Sequence, residues 1–297
     1  MYLGGSPFQL PGLFTILPYG ELSEGLWWPR GGMYKLVEAL ENLACQTGVR
    51  LHRRARVRKI LHRNGRLRGL ELQSGEELPC ELAVSNVDLP TTLTELLGEA
   101  RPQMTMSPSV VTFYWVVRER PRGLGHHTIF LPRDYRATFQ NLIQGRQIPD
   151  DPAFYVACPP RESEPQSGEQ RAGVFVLVPV PLLSRLQGIA WDEETQRLKQ
   201  SVLGRLKSSG IGLEADGIQA ERVFTPVEWK SRFGLYQGSA FGAAHTLGQV
   251  GPFRPKNYSQ RVRGLYFAGA STTPGTGVPM VVISGRLAAE RIQAHAR

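Results

Sequence analysis

The sequence is poor in cysteine, with three residues (Cys45, Cys80, Cys158) that stand far apart and outside any CxxC or His-containing spacing. That excludes a disulfide framework and a Cys-ligated metal centre, and points to free thiols in a reducing compartment. Long apolar runs are also missing. The apolar N-terminus is broken by Pro7, Pro11 and Pro18 and has no basic leader, so neither a signal peptide nor a spanning helix fits. Acidic residues are fewer than basic ones, 26 against 35, and the formal net charge is +9. A basic protein of this kind invites anionic partners. However, no RNP, zinc-finger or helix-turn-helix pattern is present, and the one dense basic run, Arg50, Arg53, Arg54, Arg56, Arg58 and Lys59, alternates with Leu51, Val57 and Ile60 like a half-exposed strand. Nucleic acid is therefore not expected as a partner, whereas an anionic membrane surface is, and the chain is placed in the cytoplasm, peripheral at the membrane.

What the sequence does contain is a core-forming composition: 297 residues, 41% hydrophobic, with 32 glycines and 22 prolines that mark frequent turns. Met33 to Gln46 carries Leu36, Val37, Leu40, Leu43 and Ala44 at helical spacing and stops at Gly48. Short alternating runs follow at Val49 to His52, Ala55 to His62 and Leu67 to Leu72, with turns at Asn64-Gly65 and Ser74-Gly75, then an apolar strand from Leu82 to Ser85. Longer strands are predicted at Val110 to Val117, Ala153 to Cys158 and Gly173 to Val180. One helix, Trp191 to Ser208, interrupts them with a stripe of Leu198, Val202, Leu203 and Leu206. Pro159 to Arg171 reads as a mobile polar loop. The final forty residues run strand, small-residue turn, helix.

The turn between Gly264 and Gly285 holds the strongest chemical signal. Gly269, Gly275 and Gly277 allow a flat group to approach the backbone, and a helix starting near Pro279 offers amides that suit a phosphate or an electron-rich ring edge. By itself this is only a candidate anion site, and an ordinary strand-to-helix turn is the simpler reading of the same residues. Other candidates are weaker. His126-His127 lack a third ligand, and no metal site is expected. Ser239 sits in GSAFG rather than GxSxG, which gives no support to hydrolase chemistry. No Asp or Glu spacing singles out a catalytic base. The aromatics Phe8, Phe14, Trp27, Trp28, Phe113, Trp115 and Trp229 are candidates for lining a tunnel, though most aromatics are core.

The order Gly264-Leu265-Tyr266-Phe267, Gly269-Ala270-Ser271-Thr272-Thr273-Pro274-Gly275, Gly277-Val278 and Ser284 closely resembles the C-terminal signature of bacterial-type phytoene desaturases, carotenoid-processing flavoenzymes of the amine-oxidase type. Thr225 to Trp229, Gly238 to Gly242, His245, Gln249, Arg254-Pro255, Trp27 to Met33, Asn86 and Asp88 extend the resemblance over nearly the whole chain. It implies an α/β fold with an α+β insertion: flavin-domain segments at 31–88 and 256–297, a sheet-bearing substrate domain at 89–255, and the end of another substrate-domain segment at 1–30. It implies FAD as cofactor, held by Val57, Gly269, Ala270, Gly277, Val278, Pro279 and Met280, and a lipophilic polyene substrate touched by Trp229 and His245. The implied activity is desaturation of phytoene or a related isoprenoid polyene. A βαβ unit with GxGxxG, which such a flavin domain needs, is absent: the nearest pattern, Gly210 to Ala215, follows a helix rather than a strand. The expectation is hence an incomplete Rossmann-like flavin domain, a C-terminal portion that relies on a separate N-terminal dinucleotide-binding chain. The competing expectation is a non-catalytic remnant.

Overall fold

The computed structural model describes residues 3–8, 10–159 and 171–296. In chain order the helices are α1 (Ile16–Glu24), α2 (Tyr34–Gln46), α3 (Leu89–Thr91), α4 (Tyr135–Gln144), α5 (Trp191–Ser208), α6 (Pro226–Phe233) and α7 (Val278–His295). The strands are β1 (Val57–Arg63), β2 (Arg66–Leu72), β3 (Glu77–Pro79), β4 (Ala83–Ser85), β5 (Ser109–Val117), β6 (His127–Phe130), β7 (Phe154–Ala157), β8 (Ala172–Val180), β9 (Ile218–Phe224) and β10 (Leu265–Phe267). They form three sheets: an antiparallel meander β1-β2-β3, a parallel pair β10-β4, and a five-stranded antiparallel sheet ordered β6-β7-β8-β5-β9. The fold is mixed α and β.

The meander follows from turn chemistry. Asn64 and Gly65 both take positive φ, 52° and 69°, as a two-residue hairpin turn requires, and set Arg63 opposite Arg66. Ile60 and Leu67 point inward and join Leu89, Val262, Leu265 and Phe267 in a small core. Because β4 and β10 pair in parallel, with Ala83 beside Leu265 and Ser85 beside Phe267, chain segments about 180 residues apart share one sheet.

The five-stranded sheet holds the main core. Along β5 the residues Val111, Phe113, Trp115 and Val117 face α5 and are at most 1% exposed, as are Leu198, Val202 and Leu206 on the helix. Trp115 closes its polar end by donating from Nε1 to Glu221 Oε2 at 2.6 Å, and Glu221 is paired with Lys199 of α5. Burying side chains of this size contributes roughly 1.5–3 kcal/mol each.

Three expectations are corrected. Among the described residues the strand region contains, besides the expected α5 and the single turn α3, two further helices: α4 begins at Asp134, whose carboxylate accepts from the Ala137 amide at 2.9 Å, and α6 begins in a capping box formed by Thr225 and Glu228. Both are short and polar on one side, so their caps rather than a long apolar stripe define them. Val49 to His52 forms no strand. The helix at Tyr34–Gln46 is present, but its apolar stripe is not covered: Val37, Leu40 and Leu43 are 46–56% exposed. The loop expected at Pro159 to Arg171 lies mostly outside the described residues. Among the described residues, no helix is long and apolar enough to cross a membrane.

Candidate flavin-facing site and aromatic face

Two features stand out, a glycine-bearing loop at the start of α7 and the open face of the large sheet. Strand β10 delivers the chain into the loop 268–277, which a buried polar network holds. The Gly269 amide donates to Ser284 Oγ at 3.1 Å, and Thr272 Oγ1 lies 3.0 Å from both Gly269 O and Ser284 Oγ. Asn257 Nδ2 reaches Thr273 O and Ser284 Oγ, each at 3.0 Å. Asn257, Thr272 and Ser284 are at most 5% exposed, so every one of these bonds replaces water that cannot enter. On the other side, Asp88 accepts from Ser271 Oγ and from the Tyr236 amide, and burial pushes its carboxyl above the usual range against the opposing pull of those bonds.

Gly275 and Gly277 show why the loop needs glycine. At Gly275, φ is 142° and a Cβ would lie 2.4 Å from His245 Nε2; at Gly277, φ is 112° and the residue opens directly into α7. Gly277 offers no side-chain cap to that helix, and Gly277, Val278 and Pro279 are exposed. Among the described residues the amides of Gly275, Thr276 and Gly277 make no hydrogen bond. An uncapped helix start preceded by unpaired amides carries partial positive charge and accepts an anion or an electron-rich ring edge.

The expected cofactor residues Gly269, Ala270, Gly277, Val278, Pro279 and Met280 thus fall together on this loop and the first turn of α7. Val57 opens β1, opposite Leu72. His245 does not face an open channel. It is 6% exposed, set against Gly275, edge-on to Phe14 at 5.5 Å, with Nδ1 3.3 Å from Leu3 O. Burial, and then the neighbouring Arg254 charge, push its pKa down to about 4, so the ring is neutral at pH 7. Ser239 is bonded to Ser107 Oγ at 2.9 Å and to Gly242 O at 3.1 Å, deep in the structure and at 0% exposure. Arg254 and Asn257 as supports of the loop were not legible: a single Arg or Asn in a turn has no periodicity to betray it.

The open face of the large sheet is aromatic. Residues alternate along a strand, so the face opposite α5 carries Tyr155 of β7, Phe175 of β8, Tyr114 of β5 and Phe224 of β9, brought side by side by the register. The ring centroids step 6.2, 5.1 and 5.6 Å across the sheet and continue through Trp229 and Phe233 of α6 at 5.3 and 5.0 Å. At the other end, Tyr155 stacks on His127 at 5.9 Å, which stacks on His126 at 4.1 Å, and Trp28 meets His126 edge-on at 4.9 Å. A cleft of about 430 Å³ lies over Tyr114, Val116, Phe175 and Ala220. Trp229, expected as a substrate contact, lies beside Phe224 and Phe233 in this run of rings, whereas Phe113 and Trp115 face the core with α5. Tyr114, Tyr155, Phe175 and Phe224 were missed. Their period-two alternation with core residues was visible, but which face of the sheet stays open was not.

The chain matches the family model of flavin containing amine oxidoreductases over residues 5–293. It is 38% identical to a zeta-carotene-forming phytoene desaturase of Myxococcus xanthus, an alignment that covers 100% of this chain and 59% of that protein. It is 34% identical to a phytoene desaturase of Fusarium fujikuroi, covering 98% and 56%, and 33% identical to a carotenoid 3,4-desaturase of Haloarcula japonica, covering 98% and 60%. The chain thus spans under two thirds of the length of these relatives. Among solved structures, cyclohexylamine oxidase from Brevibacterium oxydans superposes with a TM-score of 0.55 at 13% identity, covering 100% of this chain and 62% of that one, a likeness of fold. The family's flavin is FAD, and the uncapped α7 start with its glycine approach fits it. The chain belongs to the flavin-containing amine oxidoreductase family.

Proposed function

We propose that the chain supplies the flavin-closing loop and the substrate face of an FAD-dependent oxidoreductase of carotenoid biosynthesis, which desaturates phytoene or a related isoprenoid polyene. The observation that carries the substrate class is the run of rings from Trp28 to Phe233 across the open sheet face. An extended hydrocarbon offers no hydrogen bonds, so a continuous aromatic track is the surface that can hold it along its length. The named relatives in Myxococcus xanthus and Fusarium fujikuroi act on such polyenes by their descriptions.

In this reading 31–88 and 256–297 are parts of an incomplete Rossmann-like flavin domain and 89–255 the substrate domain. Gly269, Ala270, Gly277, Val278, Pro279 and Met280 line one side of the cofactor, with Val57 near its adenine end. When bound, FAD supplies hydride acceptance from an allylic carbon, and the proton of the adjacent carbon leaves to solvent or a base. The chain's own residues present a partly positive helix start to the flavin, exclude water by the apolar face, and align the hydrocarbon. These 297 residues contain no GxGxxG unit, so by themselves they are expected to bind FAD weakly, and more tightly when such a unit is supplied. Two missing charge-assisted phosphate bonds, at roughly 1.5–3 kcal/mol each, weaken affinity by about two to four orders of magnitude. Flavin fluorescence titration measures both states.

The substrate face is tested without flavin. A conjugated carotenoid seated on the rings should quench the fluorescence of Trp229 and Trp28 saturably, and Tyr114→Asp or Phe175→Asp should abolish the effect. Quenching that is absent, or unchanged in both variants, overturns the substrate reading.

The membrane partner we assign is an anionic bilayer, met by the hairpin β1-β2, whose Lys59, Arg63, Arg66 and Arg68 are exposed beside Arg263. Each such residue contributes about 1 kcal/mol near an anionic surface. Sedimentation with phosphatidylserine vesicles should show binding that weakens with salt.

A further inference from the structure

Beneath the flavin-facing loop lies a buried cation that the reading above does not use. Arg254 is 2% exposed. Its Nε donates to Thr272 O at 2.9 Å, one terminal nitrogen donates to Gln249 O at 3.1 Å, and the other donates to Ala243 O at 3.0 Å and to Ala270 O. All four acceptors are neutral backbone carbonyls. Two belong to the loop after β10 and two to the 243–249 segment, which is otherwise tied to the loop through the bond from the Ala243 amide to Ser271 Oγ at 3.0 Å.

We infer that Arg254 is a positioning residue for the flavin: its guanidinium draws the Ala270 and Thr272 carbonyls inward and so holds the loop 268–277 in the form that leaves the Gly275, Thr276 and Gly277 amides turned to a ligand. The physical reason is geometric as much as electrostatic. A planar guanidinium carries five donors in a rigid fork and reaches carbonyls on several sides at once, whereas a lysine ammonium is a point donor on a flexible stem. Bonds from an ionised donor are about twice as strong as neutral ones, so four of them outweigh the tendency of a small-residue loop to fluctuate. Burial lowers the Arg254 pKa to about 10, which leaves the group charged at neutral pH. Gly275 completes the arrangement: a Cβ there would lie 3.4 Å from Arg254 Nε as well as on His245, so the loop closes over the pair only with glycine at that position.

The inference rests on the flavin reading for the identity of the ligand but not for the order of the loop, and the test separates the two. Amide hydrogen exchange is measured on the whole, flavin-free chain for Arg254→Lys and Arg254→Ala, and FAD affinity is measured on the same proteins. Exchange in 268–277 should rise about tenfold or more in both variants, while β5 keeps its protection. Low-millimolar guanidinium, but not equal sodium chloride, should restore the loop in Arg254→Ala, and FAD affinity should fall about tenfold in the unrescued variants. Unchanged exchange in 268–277, loosening that spreads equally to β5, or a loosened loop with unaltered FAD affinity each overturns the proposal. Failure of the wild-type chain to bind FAD, even with a GxGxxG unit supplied, removes the flavin reading, while the exchange data still decide whether Arg254 orders the loop.

Discussion

The large sheet and α2 are built from equally regular apolar patterns, yet the first is sealed and the second is not. In β5 and α5 the residues Phe113, Trp115, Leu198, Val202 and Leu206 are at most 1% exposed. In α2, where the stripe is at least as well spaced, Val37, Leu40 and Leu43 remain about half exposed, and no residue of the helix is buried. Helices α1 and α7 share this openness: Ile16, Tyr19 and Leu22 on α1 are 60–88% exposed, and Val278 and Val282 on α7 about half. The comparison teaches that a pattern states which face wants to be covered, and packing decides whether it is. The uncovered faces belong to α1, α2 and α7, while the large sheet is complete on its α5 side.

The largest effect that would break this comparison comes from the core. Truncating Trp115 or Phe113 to Ala should cost about 3–5 kcal/mol, because each leaves a cavity that rigid neighbours cannot fill, and Trp115→Ala also strands Glu221 beside Lys199. Truncating Leu40 or Leu43 should cost under ~1 kcal/mol, since so little area leaves water there. Urea unfolding measures both, and comparable costs in the two regions would refute the contrast.

Next in size is a dependence on pH centred on His245. Its pKa in the folded chain lies near 4, below the 6.5 of an unperturbed histidine, so the unfolded chain takes up the proton first as pH falls. The stability this supplies is fully present above about pH 6.5 and is lost as pH falls towards 4, amounting to roughly 2–3 kcal/mol. His245→Asn should flatten the stability profile in that window. A profile unchanged by the substitution would show that the ring meets water.

A smaller effect belongs to the cap of α6. Thr225→Ala removes the acceptor for the Val227 amide at 3.2 Å and the hydroxyl that donates to the Glu228 carboxylate, at about 1 kcal/mol. Because α6 carries Trp229 and Phe233, the same change should weaken carotenoid quenching more than thermal stability. The smallest effect sharpens the contrast from the open side: Leu40→Ser with Leu43→Ser should shift the melting temperature little but reduce binding of an apolar dye, which reports exposed hydrophobic surface.

Much of the architecture was legible from local rules. Asn64-Gly65 dictated a hairpin because few other pairs tolerate two positive φ values in succession. The Leu198, Val202 and Leu206 stripe marked α5, and the strand, small-residue turn and helix at 264–295 marked the loop. Where reading failed, the signal was short. Asp134 at the start of α4 and the Thr225 to Glu228 box of α6 are cap signatures that were present in the sequence, and weighting them above apolar periodicity finds both helices.

For the candidate sites the division is sharper. The sequence alone determined that glycines and small hydroxyl residues precede a helix at Val278, since backbone freedom and helix entry are properties of consecutive residues. It also determined that β5 alternates between two sets of large side chains, Phe113 and Trp115 against Tyr114 and Val116. Only the tertiary structure decided which set meets α5 and which lies open, because alternation has no sign until a helix packs on one side. Only it placed His245 against Gly275 and gathered the carbonyls of Ala243, Gln249, Ala270 and Thr272 onto Arg254. Those contacts join residues distant along the chain, and their energies come from burial and geometry that no window of consecutive residues contains.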